Sequence, residues 1–224
     1  MALNQNIDHT LLKPTATTED IDKLCEEAIK YGFYAICIHS SYVPLAKEKL
    51  KNSNVKIATV VGFPLGASSP ESKIREALIA IDYGADEIDM VMNIGFFKSQ
   101  WTEAVTKEIE EVKKAIGDKV LKVIIETCYL SDDEIKTACT LVIKGGADYV
   151  KTSTGFGSSG ATEHDVKIML DAVGKNLKVK ASGGIKDAAT AEKYVKMGVS
   201  RLGTSSGVEI VSGGSKKEDN ERTY

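Results

Sequence analysis

Residues 55–84, VKIATVVGFPLGASSPESKIREALIAIDYG, contain the pattern that decides the fold. The stretch opens with a β-type run at residues 55–61 and continues through a short glycine-containing loop. Ser69 is a typical helix N-cap, and Pro70 suits the first turn of a helix. Apolar residues then recur at helical spacing to the end of the stretch. The stretch therefore predicts one strand followed by one helix.

The same pattern of a strand and then a helix recurs along the chain, so that eight such units account for nearly all of it. Strands that alternate with helices at short spacing form a parallel sheet. Eight units in 224 residues fit a single (β/α)8 TIM barrel, which is an α/β fold. The predicted strands cover residues 7–13, 33–39, 55–61, 87–93, 121–127, 148–151, 177–181 and 200–203. The predicted helices cover residues 17–31, 40–50, 69–84, 101–116, 131–145, 162–173, 187–197 and 208–211.

A doubly wound open sheet is the structural alternative to the barrel. Such a sheet usually has about six strands and a glycine fingerprint after the first of them. Residues 13–17, which form the first turn between strand and helix here, hold no glycine. We therefore expect one barrel domain over residues 1–211. Residues 212–224 are polar, charged and glycine-bearing, which is typical of a flexible C-terminal tail.

The composition argues against several classes of function. A net charge of -3 gives no sign of nucleic acid or an anionic membrane as a partner. No apolar run approaches the ~18 residues of a membrane span, and the N-terminus lacks a signal pattern. The four cysteines and three histidines show no metal-ligand spacing. We therefore expect free thiols in a reducing compartment, a cytoplasmic location and no metal.

Residues 147–157, ADYVKTSTGFG, contain a lysine that packing explains poorly. Lys151 stands at the carboxyl end of a predicted strand and opens into a loop of Thr, Ser and Gly. A lysine is rarely fully buried without a partner. When desolvated it loses its proton more readily and becomes the nucleophilic amine that a Schiff-base enzyme needs. The alternative is a lysine whose stem lies along apolar surface while its ammonium reaches water.

Two further ionisable residues are predicted at the same end of the barrel, where TIM-barrel chemistry takes place. Lys180 stands near the end of the next strand, about 5 Å from that of Lys151, and a second ammonium there favours a neutral amine. Asp89 lies among apolar residues and needs a cationic partner. We interpret the three as a catalytic cluster, whereas the alternative is a structural ion pair between Asp89 and Lys180. Other polar residues at the predicted strand ends are Asp8, Thr10, Cys37, His39, Asn93, Glu126 and Thr127.

Two glycine loops predict a phosphate site. Residues 182–184 (SGG) follow the seventh predicted strand, and residues 203–207 (GTSSG) follow the eighth. These are the two loops that often hold phosphate in barrel enzymes. Glycine lets backbone N–H groups turn toward an anion, and the start of the next helix adds a favourable field. The alternative is a pair of ordinary turns between strand and helix.

Four segments together resemble the deoxyribose-phosphate aldolase family. They are residues 8–14 (DHTLLKP), 86–89 (DEID), 150–156 (VKTSTGF) and 179–185 (VKASGGI). The resemblance runs in order from residue 7 to about residue 206. It implies a class I aldolase that interconverts 2-deoxy-D-ribose 5-phosphate with D-glyceraldehyde 3-phosphate and acetaldehyde, in deoxynucleoside breakdown.

The resemblance also implies roles for individual residues. Lys151 matches the Schiff-base lysine, and Asp89 and Lys180 match the proton-transfer pair. The residues that match substrate or phosphate contacts are Asp8, Cys37, Thr152, Gly183, Gly184, Gly203, Ser205 and Ser206. The family needs no metal or organic cofactor, so the expected partners are the phosphorylated sugar, acetaldehyde and further copies of the chain in a dimer or tetramer.

Three questions stay open at this point. Some members of the resembled family end in a tyrosine that aids proton transfer, and Tyr224 either does so here or is a chance residue on a disordered end. A Schiff-base aldolase for another sugar phosphate, of the transaldolase or fructose-bisphosphate type, is the nearest competing function. A barrel that binds a phosphosugar without catalysis is the competitor from another class.

Overall fold

The computed structural model describes residues 3–213 as a closed barrel of eight parallel strands. Each strand pairs with the next, and β1 closes the barrel on β8 with Ile7 opposite Leu202. The strands are β1 Ile7–Leu11, β2 Ala35–Ile38, β3 Lys56–Val61, β4 Glu87–Val91, β5 Val120–Ile124, β6 Tyr149–Lys151, β7 Lys178–Ser182 and β8 Arg201–Thr204. The prediction of a single (β/α)8 barrel is confirmed.

Helices follow the strands and cover the outside of the barrel. They are α1 Thr18–Tyr31, α2 Val43–Leu50, α3 Pro70–Asp82, α4 Ile94–Lys98, α5 Thr102–Ile116, α6 Asp132–Lys144, α7 Glu163–Val173, α8 Ala188–Met197 and α9 Gly207–Ser212. Short 3-10 turns lie at Asn4–Asn6, Ser40–Tyr42 and Thr127–Tyr129. Within residues 3–213, none of these helices is long and apolar enough to span a membrane.

Side-chain caps fix several of the helix starts that the sequence predicts. Thr17 and Ser131 each form a capping box, with Asp20 and Glu134 as the returning acids. Ser69 accepts a hydrogen bond from the backbone of Ser72 at the start of α3. These caps place the loops between strand and helix at the carboxyl end of the barrel, where the predicted site lies.

Several predicted strands are too long at their carboxyl ends. The fourth was predicted to reach residue 93, but β4 ends at Val91 and Asn93 instead caps α4, a short helix that the sequence did not predict. The fifth was predicted to reach residue 127, but β5 ends at Ile124, and Glu126 has a φ of 54° that no strand accommodates. Polar residues that leave the sheet in this way become loop residues at the mouth of the barrel.

The molecule has an apolar shell and a charged interior. Branched residues such as Ile36, Ile88 and Val150 are buried in the main apolar core. A separate small apolar cluster consists of Leu12, Cys37, Ala58 and Val60. The rest of the barrel interior holds fully buried ionic side chains, whereas barrels of this fold usually fill that space with aliphatic residues.

Candidate active site

Strand register brings the two predicted lysines together. Lys151 on β6 is the direct partner of Lys180 on β7. Lys151 is only 2% exposed and Lys180 is 0% exposed, so neither ammonium reaches out to water along the surface. The alternative of an exposed lysine at a strand end is therefore wrong for Lys151.

Asp89 on β4 lies at the centre of the arrangement. Its Oδ2 accepts hydrogen bonds from Lys151 Nζ at 2.9 Å and from Lys180 Nζ at 2.8 Å. Its Oδ1 accepts from Lys122 Nζ at 2.7 Å. The two predicted lysines are therefore joined through one carboxylate oxygen. The prediction that the Lys180 ammonium acts directly on the Lys151 amine is incomplete, because both nitrogens also contact Asp89.

Asp8 on β1 forms the second centre. Its Oδ2 accepts a hydrogen bond from Lys180, and its Oδ1 accepts one from Arg201 at 2.8 Å. Lys122 Nζ also pairs with Glu87 Oε2 at 2.6 Å, and Arg201 lies 3.6 Å from the same oxygen. We call these seven residues the barrel cluster: Asp8, Glu87, Asp89, Lys122, Lys151, Lys180 and Arg201.

Lys122, Glu87 and Arg201 are members of the cluster that the sequence analysis did not select. Lys122 stands inside β5, and Glu87 and Arg201 are the first residues of β4 and β8, so a search of the carboxyl ends of the strands passes over them. A signal was present in the sequence, because Lys122 interrupts an apolar run at residues 121–125. Such a lysine, when buried, requires a carboxylate opposite it, and Asp89 is its register partner on the neighbouring strand β4.

The cluster controls the ionisation of its members. Burial alone would raise the pKa of Asp89, but Lys122, Lys151 and Lys180 outweigh it and hold that pKa well below its usual value. Burial likewise opposes ionisation of Asp8, yet its cationic neighbours, led by Lys180, lower the pKa to about 2. Burial would lower the pKa of Lys180, but Asp8 and Asp89 raise it. Both carboxylates are therefore ionised at neutral pH.

The charges in the cluster do not cancel. Its three carboxylates face four cationic groups, so the fully charged cluster carries one positive charge too many. Lys122 and Lys180 each contact two or more carboxylates within 4 Å, whereas Lys151 contacts Asp89 alone among residues 3–213. A neutral Lys151 amine balances the cluster at the loss of a single ion pair. This arrangement suits nucleophilic attack by Lys151 on a carbonyl carbon.

The two predicted phosphate loops lie side by side beyond β7 and β8. Gly183 and Gly184 both have positive φ, at 88° and 78°, which lets the backbone turn sharply. The loops are joined because Thr204 Oγ1 donates to the carbonyl of Ile185 at 2.6 Å and accepts from Ser206 N at 2.9 Å. Their contact with phosphate stays a prediction.

A family model described as DeoC/LacD family aldolase matches residues 3–215. The chain belongs to the DeoC/LacD family of aldolases. It is therefore an aldolase, a lyase that makes or breaks a carbon–carbon bond.

Individual relatives agree with this assignment. The aldolase is 54% identical over 211 residues to the deoxyribose-phosphate aldolase of Coprothermobacter proteolyticus, which covers 94% of this chain and 96% of the relative. It is similar to the tetrameric deoxyribose phosphate aldolase of Aeropyrum pernix, with a TM-score of 0.86, 34% identity and coverage of 94% and 90% of the two chains. It also resembles the solved aldolase QR15, with a TM-score of 0.91, 38% identity and coverage of 94% and 95%.

The aldolase has an apolar wall inside the barrel. Cys37 is fully buried beside Leu12, Ala58 and Val60, and Phe63 packs against this group. Burial raises the pKa of the Cys37 thiol. Asp89, Lys180, Lys151 and Asp8 are all close enough to influence that thiol electrostatically, so this wall of the aldolase faces the barrel cluster.

The remaining predicted residues have varied positions in the aldolase. Thr152 is fully buried, and its hydroxyl donates to Ser182 O at 3.1 Å and accepts from Ser182 N at 3.0 Å. Its predicted contact with substrate stays a prediction, since that hydroxyl already holds the end of β7. His39 Nε2 contacts the carbonyl of Leu12 at 2.9 Å. Tyr224 and the predicted tail lie outside the described residues.

Within residues 3–213, no three His, Cys, Asp or Glu side chains are grouped so that they could hold a metal ion. The prediction that the aldolase works without a metal or organic cofactor stays a prediction.

Proposed function

We propose that this aldolase reversibly cleaves 2-deoxy-D-ribose 5-phosphate to D-glyceraldehyde 3-phosphate and acetaldehyde through a Schiff base on Lys151. The observation that carries the proposal is the buried Lys151 Nζ on Asp89 Oδ2, with Lys180 Nζ on the same oxygen. The relatives named deoxyribose-phosphate aldolase support the choice of substrate.

The first half of the reaction forms the imine. The neutral Lys151 amine adds to the C1 aldehyde of the open-chain sugar and gives a carbinolamine. Lys180 donates a proton to the carbinolamine hydroxyl, which leaves as water, so that the iminium forms and Lys180 becomes neutral. The cluster keeps its charge balance, because the iminium supplies the positive charge that Lys180 gives up.

The second half breaks the carbon–carbon bond. Neutral Lys180, directly or through a water molecule, takes the proton of the C3 hydroxyl. The electrons of the C2–C3 bond move into the iminium, D-glyceraldehyde 3-phosphate leaves and an enamine remains. Protonation of the enamine at C2 regenerates an iminium, and its hydrolysis releases acetaldehyde and the Lys151 amine.

Asp89 supports this proton transfer by stabilising the charge on the two lysines. It accepts hydrogen bonds from both lysines, so it stabilises whichever of them is protonated at each stage. Asp8 anchors Lys180 from the other side. The phosphate, held by residues Gly183, Gly184, Gly203, Ser205 and Ser206, contributes binding energy remote from the bond that breaks.

Borohydride trapping with acetaldehyde, read by peptide mass spectrometry, tests the proposal. We expect an ethyl adduct of about +28 Da on Lys151 and on no other buried lysine, since only an amine in the substrate site forms the imine. Lys122 is the internal control, because it is equally buried in the same cluster. An adduct on a different lysine would keep the class of enzyme and overturn the assignment of Lys151.

Two alternatives predict different results. A Schiff-base aldolase for another sugar phosphate would give the Lys151 adduct but cleave a different substrate faster in a panel of phosphosugars. A non-catalytic barrel would bind a phosphosugar and give no adduct. The side-by-side lysines joined by Asp89 favour Schiff-base catalysis over simple phosphosugar binding. The relatives named deoxyribose-phosphate aldolase favour this substrate over another sugar phosphate.

The setting of the enzyme belongs to the same proposal. The four cysteines are all free, which suits a reducing compartment and a cytoplasmic location. The role in deoxyribonucleotide and deoxynucleoside catabolism follows from the proposed substrate. The tetrameric Aeropyrum pernix relative supports a homo-oligomer. Light scattering on the purified chain measures the number of copies, and a monomer would contradict that part.

A further inference from the structure

The loop that follows β6 spans two neighbouring loops at the mouth of the barrel. We call residues 152–161 the β6 loop. It begins directly after Lys151 and leads to α7, and it contains glycines at 155, 157 and 160. One side of the loop packs on residues after β5, and its far end packs on residues after β7.

The β5 side is fixed by a buried carboxylate. Glu126 is 2% exposed and accepts hydrogen bonds from both the backbone N–H and the hydroxyl of Thr154. A Cβ added at Gly157 would lie 2.7 Å from Cys128 Sγ and 3.2 Å from Glu126 Cδ. The loop therefore approaches the end of β5 as closely as a glycine permits.

The β7 side has a second close contact. A Cβ added at Gly160 would lie only 2.3 Å from the carbonyl carbon and oxygen of Gly183. Gly160 does not have positive φ, so backbone conformation alone does not require glycine there. The absence of a side chain at residue 160 serves the contact with Gly183.

Hydrogen bonds hold this contact in place. The N–H of Ala161 donates to Ser182 O at 3.0 Å and to Gly183 O at 3.1 Å. The hydroxyl of Tyr194, on α8, donates to the carbonyl of Ala161 at 2.9 Å. Gly183 is thus held between the β6 loop and its own strand. The contacts with the β6 loop stabilise its backbone at a φ of 88°.

We propose that Gly160 and Tyr194 are positioning residues for the phosphate of the substrate. They hold the β6 loop against Gly183, and Gly183 in turn presents the backbone N–H groups of its loop to the phosphate. This inference rests on the proposed function, because that function assigns residues 183 and 184 to phosphate. It adds that phosphate affinity depends on a loop that begins at the Schiff-base lysine.

The test uses the full-length chain and two variants. Tyr194→Phe removes one hydroxyl and leaves the ring, so it preserves packing. We expect the Ki of inorganic phosphate and the KM for 2-deoxyribose 5-phosphate to rise about three- to tenfold, the size of one lost hydrogen bond. Gly160→Ala should raise both by about tenfold or more, because the Cβ forces the loop away from Gly183.

A second substrate, which has no phosphate, separates a loss of phosphate binding from a general loss of activity. Turnover of unphosphorylated 2-deoxyribose and trapping of acetaldehyde on Lys151 should stay within about twofold of the parent chain, since neither involves phosphate. Equal losses on both substrates, or an unchanged Ki for phosphate in both variants, would overturn the inference.

Matched control variants exist in the same molecule. The hydroxyl of Tyr42 donates to the carbonyl of Ala16 at 2.6 Å, so Tyr42→Phe removes the same kind of bond elsewhere. Gly95→Ala adds a methyl group in α4 with its nearest contact at 3.4 Å. Neither should change phosphate affinity.

The outcome is independent of the proposed chemistry. Calorimetric titration with inorganic phosphate measures the same effect even if no Lys151 adduct forms. Failure of trapping with intact phosphate binding would reject the aldolase mechanism alone. A parent chain that binds no phosphate at millimolar concentration would reject the positioning role.

Discussion

Lys122 on β5 lies directly opposite Asp89 on β4 in the sheet, and its Nζ donates a hydrogen bond to Asp89 Oδ1 at 2.7 Å. Neither side chain is exposed at all. Lys122 therefore fixes one oxygen of the carboxylate and leaves the other to the lysines proposed for catalysis. We infer that Lys122 acts through Asp89 and does not contact substrate itself.

Replacing Lys122 with Met should lower kcat by about 10²-fold, because Asp89 loses the bond that orients it. The pKa of Asp89 should rise, since Lys122 is foremost among the cations that lower it. Because Asp89 must stay ionised, the acid limb of kcat should move to higher pH, measured between about pH 4 and pH 9.

Lys73→Met is the matched control for this variant. Lys73 is a fully buried lysine that pairs with Glu108 at 2.7 Å outside the barrel cluster. Lys73→Met should cost about 3–5 kcal/mol in urea unfolding, because the buried Glu108 carboxylate loses its lysine partner. Lys122→Met should cost less, because Asp89 keeps its bonds to Lys151 and Lys180. Only Lys122→Met should move the acid limb, and the same movement in both variants would contradict the positioning role.

Lys180→Leu should reduce turnover by about 10²–10⁴-fold, the range expected when a general acid–base group is removed. Lys180 donates to both Asp8 and Asp89, so the variant also loses stability in urea. Circular dichroism should nevertheless show a folded barrel. Near-normal activity in that folded variant would make the assignment of the proton-transfer pair wrong.

Acid should unfold the protein through Asp8 and Asp89. Both have a pKa below the usual value, that of Asp8 at about 2, so their ionised forms stabilise the folded state above about pH 4. That stabilisation is lost as pH falls through the folded pKa values. For Asp8 it amounts to about 2 kcal/mol.

Urea titrations at several pH values measure this loss, and Asp8→Asn isolates one group. Between about pH 5 and pH 2 the variant should lose stability less steeply than the parent chain. The difference between the two chains is the useful quantity, because burial raises the pKa of Glu108 and Glu126 and gives them the opposite sign. Parallel curves would show that Asp8 is not the titrating group.

Deleting Tyr224 should slow the exchange of acetaldehyde methyl protons in deuterated water by about tenfold or more, if the residue protonates the enamine carbon. Borohydride trapping on Lys151 should not change, because imine formation precedes that step. Tyr224→Phe keeps the ring and serves as the comparison. Unchanged exchange in both variants would remove any role for this residue.

The sequence predicted the pairing of Lys151 with Lys180 because neighbouring strands in a barrel have a simple register. Because Asp89 lies among apolar residues in the sequence, it also predicted that Asp89 needs a cationic partner. It did not select Lys122 or Arg201, because an isolated charge within a strand shows no partner until the strands are placed side by side.

Strand ends were predicted less well for a related reason. β-type residues continue past the assigned ends of β4 and β5, so residues 92–93 and 125–127 are typical of strand although the structure places them in loops and a 3-10 turn. Glu126 illustrates the difference. Its backbone has a φ of 54°, and its carboxylate accepts a hydrogen bond from Thr154, which lies 28 residues away in the chain. No local pattern carries that information.

Heating should act differently on the two halves of this molecule. The shell is apolar, whereas the barrel cluster consists of desolvated ions. The hydration free energy of charged groups becomes less favourable as temperature rises, so the penalty for burying the cluster falls while apolar burial gains little. The interior is therefore expected to weaken least on warming, and Lys151 should keep its place on Asp89 until the barrel as a whole comes apart.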